Sequence, residues 1–502
     1  MKTTRRLLCA LLALTLVLAL AGTAFAAGGT TGTITIQNAI SGQSYSIYKI
    51  FDLESYSGED NEADRTYSYK VDTAWKGFFA EKAPGAAYIT LNDQGYIIKS
   101  NLMASNAETF AKDALAWAKN NTITATATQE AQTSSVTFDN LSLGYYLLDS
   151  TMGTLCSLDT IQPDATIQEK NTAPTLEKKI VEGGADKDAN SVTIGDTVQY
   201  KATIHAHKGA YGYVFKDTMA AGLTLQADTI KVKVGDTELS GTGENKHYTL
   251  NTNSADGLTF TITFEQSYLD TIAQDTDIVI TYDGILNENA VIGGDGNTNT
   301  AKLAYGEKST ETPDAVVRTY TYTFNVLKYT QNKDKPEKKP LAGAKFKLFK
   351  EGEAGKPAGD PIQLVAETPV TGDPVYRVAT GAQIGNNVVS KVVEIETQNT
   401  GAFIINGLDA GTYYLMETQA PTGYNKLKDP VKIEIIEGTQ PGTVTVKNGG
   451  VEATNGKIEV ENNTGTELPS TGGMGTTIFY IIGSVLVIGA VVLLVTKKRM
   501  SR

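Results

Sequence analysis

The sequence predicts an all-β protein of three tandem β-sandwich modules, with a cleaved leader before them and a membrane-spanning segment after them. Short runs of alternating apolar and polar residues recur along nearly the whole chain, and Gly, Asn and Asp turns separate them. The two ends differ from this pattern, because each carries a long apolar run beside basic residues. A chain of 502 residues has room for about three domains.

Residues 1–26 have the three parts of a secretory signal peptide. Lys2, Arg5 and Arg6 precede a short apolar run, and Ala24-Phe25-Ala26 supplies the small residues of a cleavage site. A retained membrane anchor is the alternative, but the apolar run is short and the cleavage site is good. We therefore expect a secreted chain.

The strand signal is rich in β-branched residues, as in 33–36, 259–264 and 431–435. Regular short strands with turn signals favour β-sandwiches of the immunoglobulin-like kind. One helix is predicted in the first module, from Asn106 to about Lys119 with Ser105 as its cap, because the apolar residues there fall close to one face.

Low-complexity segments around Pro174 and Pro313 divide the chain. The predicted organisation is a signal peptide (1–26), a first module (27–172), a second module (173–318), a third module (319–465) and a C-terminal segment (466–502).

Composition excludes several classes of protein. The net charge is −12, and it becomes −19 for residues 27–471, because the two ends remove seven basic residues and no acid. An acidic chain without a basic run is not expected to bind nucleic acid. Two Cys and three His argue against a disulfide framework and a zinc site. His205 and His207 lack an evident third ligand, so we expect no metal and no cofactor.

The C-terminal segment combines a motif, an apolar span and a basic tail. Leu468-Pro469-Ser470-Thr471-Gly472 precedes the uncharged run 478–495, and Lys497, Lys498 and Arg499 follow it. This arrangement resembles the LPxTG cell-wall sorting signal of Gram-positive surface proteins. The resemblance implies that a sortase cleaves between Thr471 and Gly472 and joins Thr471 to an amine, leaving the protein anchored to the cell wall.

Three polar residues extend apolar strand faces in the third module. By alternation, Lys328, Glu417 and Asn462 each share a face with apolar neighbours. Taken singly, each fits a solvated strand end. Together, and with residues 411–421, they resemble the B-type repeat of collagen adhesins and pilins over most of 320–465. That family crosslinks itself by an intramolecular isopeptide bond.

The resemblance implies that Lys328 attacks the side-chain amide of Asn462 while Glu417 assists and ammonia leaves. Burial favours a neutral lysine amine, which is a nucleophile, and a neutral carboxylic acid, which can polarise the amide and shuttle the proton. Asn463 is adjacent but has the opposite parity.

The second module carries a related set. Lys178, Asp217 and Asn299 each share a face with apolar residues, whereas Lys179 points the other way. The set resembles the A-type isopeptide module, in which Asp replaces Glu. The resemblance implies a Lys178–Asn299 bond on the module's first and last strands, with Asp217 as catalyst.

The first module lacks two of the three groups. Alignment of 145–149 with 413–417 places Asp149 at the acid position, but Gln37 stands in place of the lysine and Glu169 in place of the asparagine. The sequence therefore predicts no such bond in this module.

A polymer subunit also needs an acceptor lysine for the sortase. In pilin backbones this lysine lies at the end of the first module in a segment like Tyr-Pro-Lys-Asn. Lys170-Asn171 fits that pattern, although Gln168-Glu169 departs from Tyr-Pro. The alternative is a solvated linker lysine. If Lys170 is the acceptor, Thr471 of one subunit joins Lys170 of the next, and this head-to-tail contact makes a filament.

We interpret the chain as the structural backbone subunit of a sortase-assembled pilus. The alternative is a monomeric wall-anchored adhesin or a minor pilin. A secreted hydrolase is a third class, but no catalytic set is visible, and no enzyme activity is expected. The implied partners are pilus-type and housekeeping sortases, identical subunits, minor pilins and peptidoglycan. Host surface ligands are a further class of partner that the sequence does not specify.

Overall fold

The computed structural model describes residues 31–57, 66–151, 153–159, 164–168, 172–253, 256–331, 337–367, 372–385, 391–464 and 474–500. Strands dominate these residues, as the alternating pattern predicts. In β14 (Thr197–Ala206), for example, Val198, Tyr200, Ala202 and Ile204 are all buried on one face.

The strands described between residues 31 and 168 surround one long helix. They are β1 (Thr31–Gln37), β2 (Ser44–Ser57), β3 (Thr66–Val71), β4 (Ile89–Leu91), β5 (Ile97–Ser100), β6 (Ala127–Glu130), β7 (Ser135–Ser142), β8 (Gly144–Ser150), β9 (Gly153–Asp159) and β10 (Asp164–Gln168), with helix α1 (Ala104–Asn120) between β5 and β6.

These strands form a three-stranded sheet in the order β10-β1-β7 and a five-stranded sheet in the order β3-β2-β8-β9, in which β6 also pairs with β2. The strands β4 and β5 pair separately. The helix packs its apolar face on the second sheet, where Phe110 contacts the cluster around Trp75 and Phe78.

The helix begins earlier than the sequence predicts. Ala104 is its first residue, and the backbone N–H of Met103 donates to the Asn106 side chain (2.7 Å). The predicted cap, Ser105, therefore lies inside the first turn. The Asn106 side chain supplies the acceptor that a free helix terminus needs.

The strands described between 175 and 320 form the second group. They are β11 (Thr175–Glu182), β12 (Ala185–Lys187), β13 (Ala189–Ser191), β14, β15 (Val214–Met219), β16 (Leu223–Val234), β17 (Thr237–Glu238), β18 (Tyr248–Asn251), β19 (Phe260–Phe264), β20 (Thr276–Leu286), β21 (Asn297–Tyr305), β22 (Thr310–Glu311) and β23 (Ala315–Tyr320), with the short helix α2 (Gln266–Leu269).

Two sheets result, one in the order β12-β11-β14-β20-β16-β17 and one in the order β13-β23-β21-β15-β19-β18, with β22 paired to β21. Pro313, predicted to mark a joint between modules, lies between β22 and β23. Both of these strands pair with β21, so this proline interrupts neither the sheet nor the sandwich.

The strands described between 322 and 461 form the third group. They are β24 (Tyr322–Gln331), β25 (Lys338–Pro340), β26 (Lys345–Glu351), β27 (Pro357–Ala358), β28 (Leu364–Glu367), β29 (Val375–Val378), β30 (Lys391–Val392), β31 (Ile395–Glu396), β32 (Ala402–Leu408), β33 (Gly411–Gln419), β34 (Val431–Glu437), β35 (Val444–Asn448), β36 (Val451–Glu452) and β37 (Lys457–Glu461), with the short helix α3 (Gly381–Gly385).

One sheet has the order β25-β24-β32-β29-β28-β30, with β37 paired to β24, and the other has the order β27-β26-β33-β34-β35-β36, with β31 paired to β26. The first and last strands of this group, β24 and β37, run parallel side by side. The strands β1 and β10 do the same in the first group. A final helix, α4 (Met474–Met500), follows.

The described residues cluster into two compact units. The first comprises residues up to 190 together with 197–285 and 297–319, and the second comprises 191–196, 286–296 and residues from 320 onward. The first and second predicted modules thus share one unit. The four predicted module boundaries stay predictions.

Candidate functional site

The predicted lysine of the third module lies in the interior of its sandwich. Lys328 is on β24, on the same inner face as Phe324 and Val326, and its side chain is fully buried. Its Nζ donates a hydrogen bond to Oδ1 of Asn462 and lies 3.3 Å from Oε1 of Glu417. The structure therefore brings together the three groups that the sequence singles out.

Two sheets supply these groups. Lys328 and Asn462 belong to one sheet, because Lys328 is in register with Val460 of β37 and Asn462 follows that strand directly. Glu417 comes from β33 in the facing sheet. The neighbouring Asn463 is exposed, as its parity predicts.

One oxygen of Glu417 faces both nitrogens of this site. Its Oε1 accepts a hydrogen bond from Nδ2 of Asn462 (3.0 Å) and lies 3.3 Å from Nζ of Lys328. Its Oε2 accepts from the backbone N–H of Leu427 (2.7 Å), which fixes the carboxyl group. A carboxyl group placed in this way can pass a proton between the two nitrogens.

Burial changes the protonation of Lys328. Loss of hydration lowers the pKa of its amine to about 8, although the nearby carboxyl group of Glu417 acts in the opposite direction. An appreciable fraction of the lysine is then the neutral, nucleophilic amine near neutral pH.

The second module holds a similar set. Lys178 on β11, Asp217 on β15 and Asn299 on β21 are all buried. Nζ of Lys178 donates to Oδ1 of Asn299 (2.7 Å) and to Oδ2 of Asp217. Burial lowers the pKa of Lys178 and raises the pKa of Asp217, so both groups shift toward their neutral forms.

The strands in this second site are arranged differently from the prediction. Asn299 is not on the last strand of the module, because β22 and β23 follow β21 in the same sheet. Lys178 comes from the facing sheet. The Lys178–Asn299 contact therefore crosses the sandwich, whereas the Lys328–Asn462 contact lies within one sheet.

The second site contains one further polar group, which the sequence pattern does not predict. Tyr282 lies on β20 and is almost completely buried. Its hydroxyl accepts from Nζ of Lys178 and from Nδ2 of Asn299 (3.2 Å), and it donates to Oδ2 of Asp217. Alternation with Ile278 and Ile280 predicts only a core position for Tyr282, since nothing in the sequence places its hydroxyl near Lys178.

In the first module the acid position is occupied by Asp149, but the positions of the lysine and the asparagine are occupied by Gln37 and Glu169. Asp149 on β8 is buried, and Nζ of Lys119 on α1 lies 3.9 Å from its Oδ2. Burial raises the pKa of Asp149 to about 7; Lys119 lowers it and Glu307 raises it further. Gln37, at the lysine position, is on β1, and Glu169 lies outside the described residues.

Other predicted residues lie outside the described part of the chain. These are the signal peptide, the acceptor candidate Lys170 and the motif Leu468, Pro469, Ser470, Thr471 and Gly472. The helix α4 follows that motif, and its residues Phe479–Arg499 are long and apolar enough to span a membrane, with a mean hydropathy of 2.6. His205 and His207 each contact an aspartate, Asp277 (2.7 Å) and Asp275 (2.8 Å).

Comparison with known families identifies three segments. Residues 460–501 match the LPXTG cell wall anchor motif. Residues 194–309 match the Cna-B-like domain of Gram-positive pilin backbone subunit 2, and residues 327–450 match the SpaA prealbumin-like fold domain. These matches define the class as a surface protein anchored to the Gram-positive cell wall.

Two individual proteins with similar sequences indicate which kind of wall-anchored protein this chain resembles. The chain is 23% identical to the trypsin-resistant surface T6 protein of Streptococcus pyogenes over 66% of this chain and 70% of the relative. It is 26% identical to fimbrial subunit type 1 of Actinomyces viscosus over 35% of this chain and 32% of that protein. The chain is a homologue of Gram-positive pilus backbone proteins.

A solved structure shares the fold. The T6 backbone pilin of serotype M6 Streptococcus pyogenes, described as a modular three-domain structure, superposes with a TM-score of 0.53 at 15% identity. The superposition covers 87% of this chain and 100% of the other.

The buried carboxyl group of Asp149 predicts a pH-dependent stability. Its pKa is about 7 in the folded chain and about 3.9 in an unfolded one, so the folded state binds the proton more tightly. The contribution of Asp149 to the free energy of unfolding is therefore fully present below pH 4 and is lost as the pH rises through 7. Asp149→Asn removes this loss. The variant should match the wild type at pH 4 and unfold at a higher temperature at pH 8, with a gain of at most about 4 kcal/mol.

Thermal unfolding of the mature chain at both pH values measures this effect. Asp139→Asn is the matched control, because Asp139 is an exposed residue of the neighbouring strand β7. A difference between Asp149→Asn and the wild type that is the same at pH 4 and pH 8 contradicts the prediction.

Proposed function

We propose that this chain is the structural backbone subunit of a covalently polymerised surface pilus, which sortase joins from Thr471 of one subunit to Lys170 of the next. The observation that carries the proposal is the match of residues 194–309 to a domain of pilin backbone subunits. A wall anchor alone would fit any wall-anchored protein, whereas the domain matched by residues 194–309 is named for the backbone subunit of pili.

The proposal includes two internal isopeptide bonds, Lys328–Asn462 and Lys178–Asn299, with Glu417 and Asp217 as the respective catalytic acids. The buried contacts support both. In each site the lysine nitrogen already touches the amide oxygen of its asparagine, and the pKa of the lysine is lowered by burial. Both lysine side chains are fully buried, and an amine held against an amide reacts at a high effective concentration.

These bonds would stabilise the chain without cysteine. The linked residues are 134 and 121 positions apart. By the loop-closure estimate for disulfides, a crosslink around a loop of about 100 residues contributes about 4.7 kcal/mol to the free energy of unfolding. An amide is also unaffected by reducing conditions. Cleavage of the signal peptide would remove Cys9 and leave Cys156, which has no second cysteine in the chain with which to form a disulfide.

Intact-mass spectrometry of the mature chain tests the internal bonds. Each bond expels one ammonia, so the expected mass is that of the sequence less two ammonia molecules. Peptide mapping should recover Lys178 linked to Asn299 and Lys328 linked to Asn462. A mass equal to the unmodified sequence refutes the proposed chemistry.

The carboxyl group of Glu417 should be required for the third-module bond. Glu417→Gln keeps the size of the side chain but removes the carboxyl group that passes protons between the two nitrogens, so the mass should rise by one ammonia while the second-module bond still forms. The free energy of unfolding of this module should fall by at least about 4 kcal/mol, the crosslink contribution. Glu461→Gln is the control, because it removes a second carboxyl group whose charge acts on Lys328, at the end of β37, while leaving Glu417 in place.

Polymerisation through Lys170 is tested on the cell. In a pilus-competent strain, wall extracts of the wild type should give a high-molecular-weight ladder on a denaturing gel. Lys170→Arg should abolish the ladder, because a guanidinium is not an amine nucleophile at neutral pH. Lys179→Arg, a partly exposed lysine on β11, should leave the ladder intact.

Two other outcomes have definite meanings. A single band from the wild type supports the monomeric adhesin instead of a backbone. A ladder that persists in Lys170→Arg assigns the acceptor role to another lysine.

A further inference from the structure

The Tyr282 hydroxyl touches every group that the proposed Lys178–Asn299 bond requires. It accepts hydrogen bonds from Nζ of Lys178 and from Nδ2 of Asn299, the nitrogen that must leave as ammonia, and it donates to Oδ2 of Asp217. The other carboxyl oxygen, Oδ1 of Asp217, has no hydrogen-bond partner among the residues that the structure describes. Within those residues, Asp217 therefore reaches the departing nitrogen only through Tyr282.

The third module has no need of such an intermediary. Oε1 of Glu417 lies 3.0 Å from the departing nitrogen of Asn462 and 3.3 Å from Nζ of Lys328. Asp217 is one methylene shorter than a glutamate. The aromatic ring beside Lys328 is that of Phe346, which carries no hydroxyl. Two tyrosine rings lie beside Lys178, those of Tyr282 (5.2 Å) and Tyr200 (5.6 Å).

We propose that Tyr282 is a catalytic proton relay, which carries a proton from Asp217 to the departing nitrogen of Asn299. The pair Asp217–Tyr282 then performs the task that Glu417 performs alone. This inference rests on the proposed isopeptide bond of the second module and adds a residue to its chemistry.

The reaction balances as follows for neutral Lys178 and neutral Asp217. The amine lone pair of Lys178 forms a bond to Cγ of Asn299, and the carbonyl π electrons move to Oδ1. Tyr282 gives its proton to Nδ2 and regains one from the Asp217 carboxyl group. The attacking nitrogen then gives its surplus proton to Asp217. When the carbonyl re-forms, the Cγ–Nδ2 electron pair leaves with ammonia, and Asp217 and Tyr282 return to their starting states.

The directions of two hydrogen bonds must reverse during this reaction. Tyr282 donates to Oδ2 of Asp217 in the structure, whereas the protonated carboxyl group must donate to the Tyr282 oxygen as the relay operates. In the amide, the lone pair of Nδ2 is delocalised, so the nitrogen donates to the Tyr282 oxygen, as the structure has it. In the tetrahedral intermediate the same nitrogen carries a localised lone pair and can accept a proton from Tyr282. Both reversals need only the hydroxyl hydrogen of Tyr282 to turn about its Cζ–O bond, from Asp217 toward Nδ2 of Asn299.

Burial keeps the relay in its protonated form. It raises the pKa of the Tyr282 hydroxyl, and the adjacent Asp217 raises it further. A phenolate is therefore disfavoured, so the hydroxyl releases its proton only as it receives another. This behaviour is that of a relay and not of a general base.

Tyr282→Phe tests the relay in the full mature chain. After a short, cold expression, the loss of ammonia is followed over time by mass spectrometry, with peptide mapping to assign each bond. The Lys178–Asn299 bond should form about 10²-fold more slowly, the lower end of the effect of general acid–base catalysis. The Lys328–Asn462 bond in the same molecules should form at the wild-type rate and serves as the internal reference for the measurement.

Two further variants separate catalysis from packing. Tyr200→Phe is the matched control, because the Tyr200 ring also lies beside Lys178 (5.6 Å) while its hydroxyl faces Thr319; the bond should form at the wild-type rate. In Asp217→Glu/Tyr282→Phe, the longer carboxyl group should reach Nδ2 as Glu417 does in the third module. In this double variant the Lys178–Asn299 bond should form at a rate within a few-fold of the wild-type rate.

Each outcome is decisive. A wild type that never forms the Lys178–Asn299 bond refutes the proposed function at this site. A wild type that bonds while Tyr282→Phe bonds equally fast overturns only the relay. If Tyr282→Phe shows no cooperative unfolding transition, the double variant decides, because rapid bonding supports the relay and failure to bond overturns it.

Discussion

The structure depends on the burial of a lysine between two β-sheets together with one acid and one amide. The Lys178 and Lys328 side chains have no exposed surface. An isolated buried ammonium group costs several kcal/mol, so a sandwich that encloses one must bring a carboxyl group and an acceptor to it. In both modules strands from the two facing sheets supply these groups, and the same burial lowers the pKa of the lysine. The requirement for stability and the requirement for a nucleophilic amine thus have one physical origin.

The two modules meet this requirement with different parts. In the third module one glutamate oxygen lies close to both nitrogens. Lys328 lies on β24, and Asn462 directly follows β37, which runs parallel to β24 in the same sheet. In the second module the acid is shorter, a tyrosine hydroxyl lies beside the amide nitrogen, and Lys178 and Asn299 lie in opposite sheets. A lysine, an acid and an asparagine are therefore compatible with more than one sandwich topology.

The proposed polymer gives the distribution of these sites a mechanical meaning. If Thr471 of one subunit joins Lys170 of the next, as proposed, tension passes through the second and third modules and bypasses the first. The two modules in the path of the force are the ones that carry a buried lysine beside an asparagine. The first module holds a buried acid, Asp149, and Nζ of the partly exposed Lys119 of its helix lies 3.9 Å from that acid.

The sequence by itself determined the β-sandwich class, the sorting signal and most of both sites. Strand alternation fixes which side chains face the core, so parity alone assigned Lys328 and Asn462 inward and Asn463 outward. Alternation along a strand does not determine which strands face each other across the sandwich, and this arrangement was decided by the tertiary structure. It placed Asn299 across the sandwich from Lys178 and not on the last strand, started the helix at Ala104, and set the hydroxyl of Tyr282 between Asp217 and Asn299. These contacts join residues far apart in the chain, and only the packing of two sheets brings them within hydrogen-bonding distance.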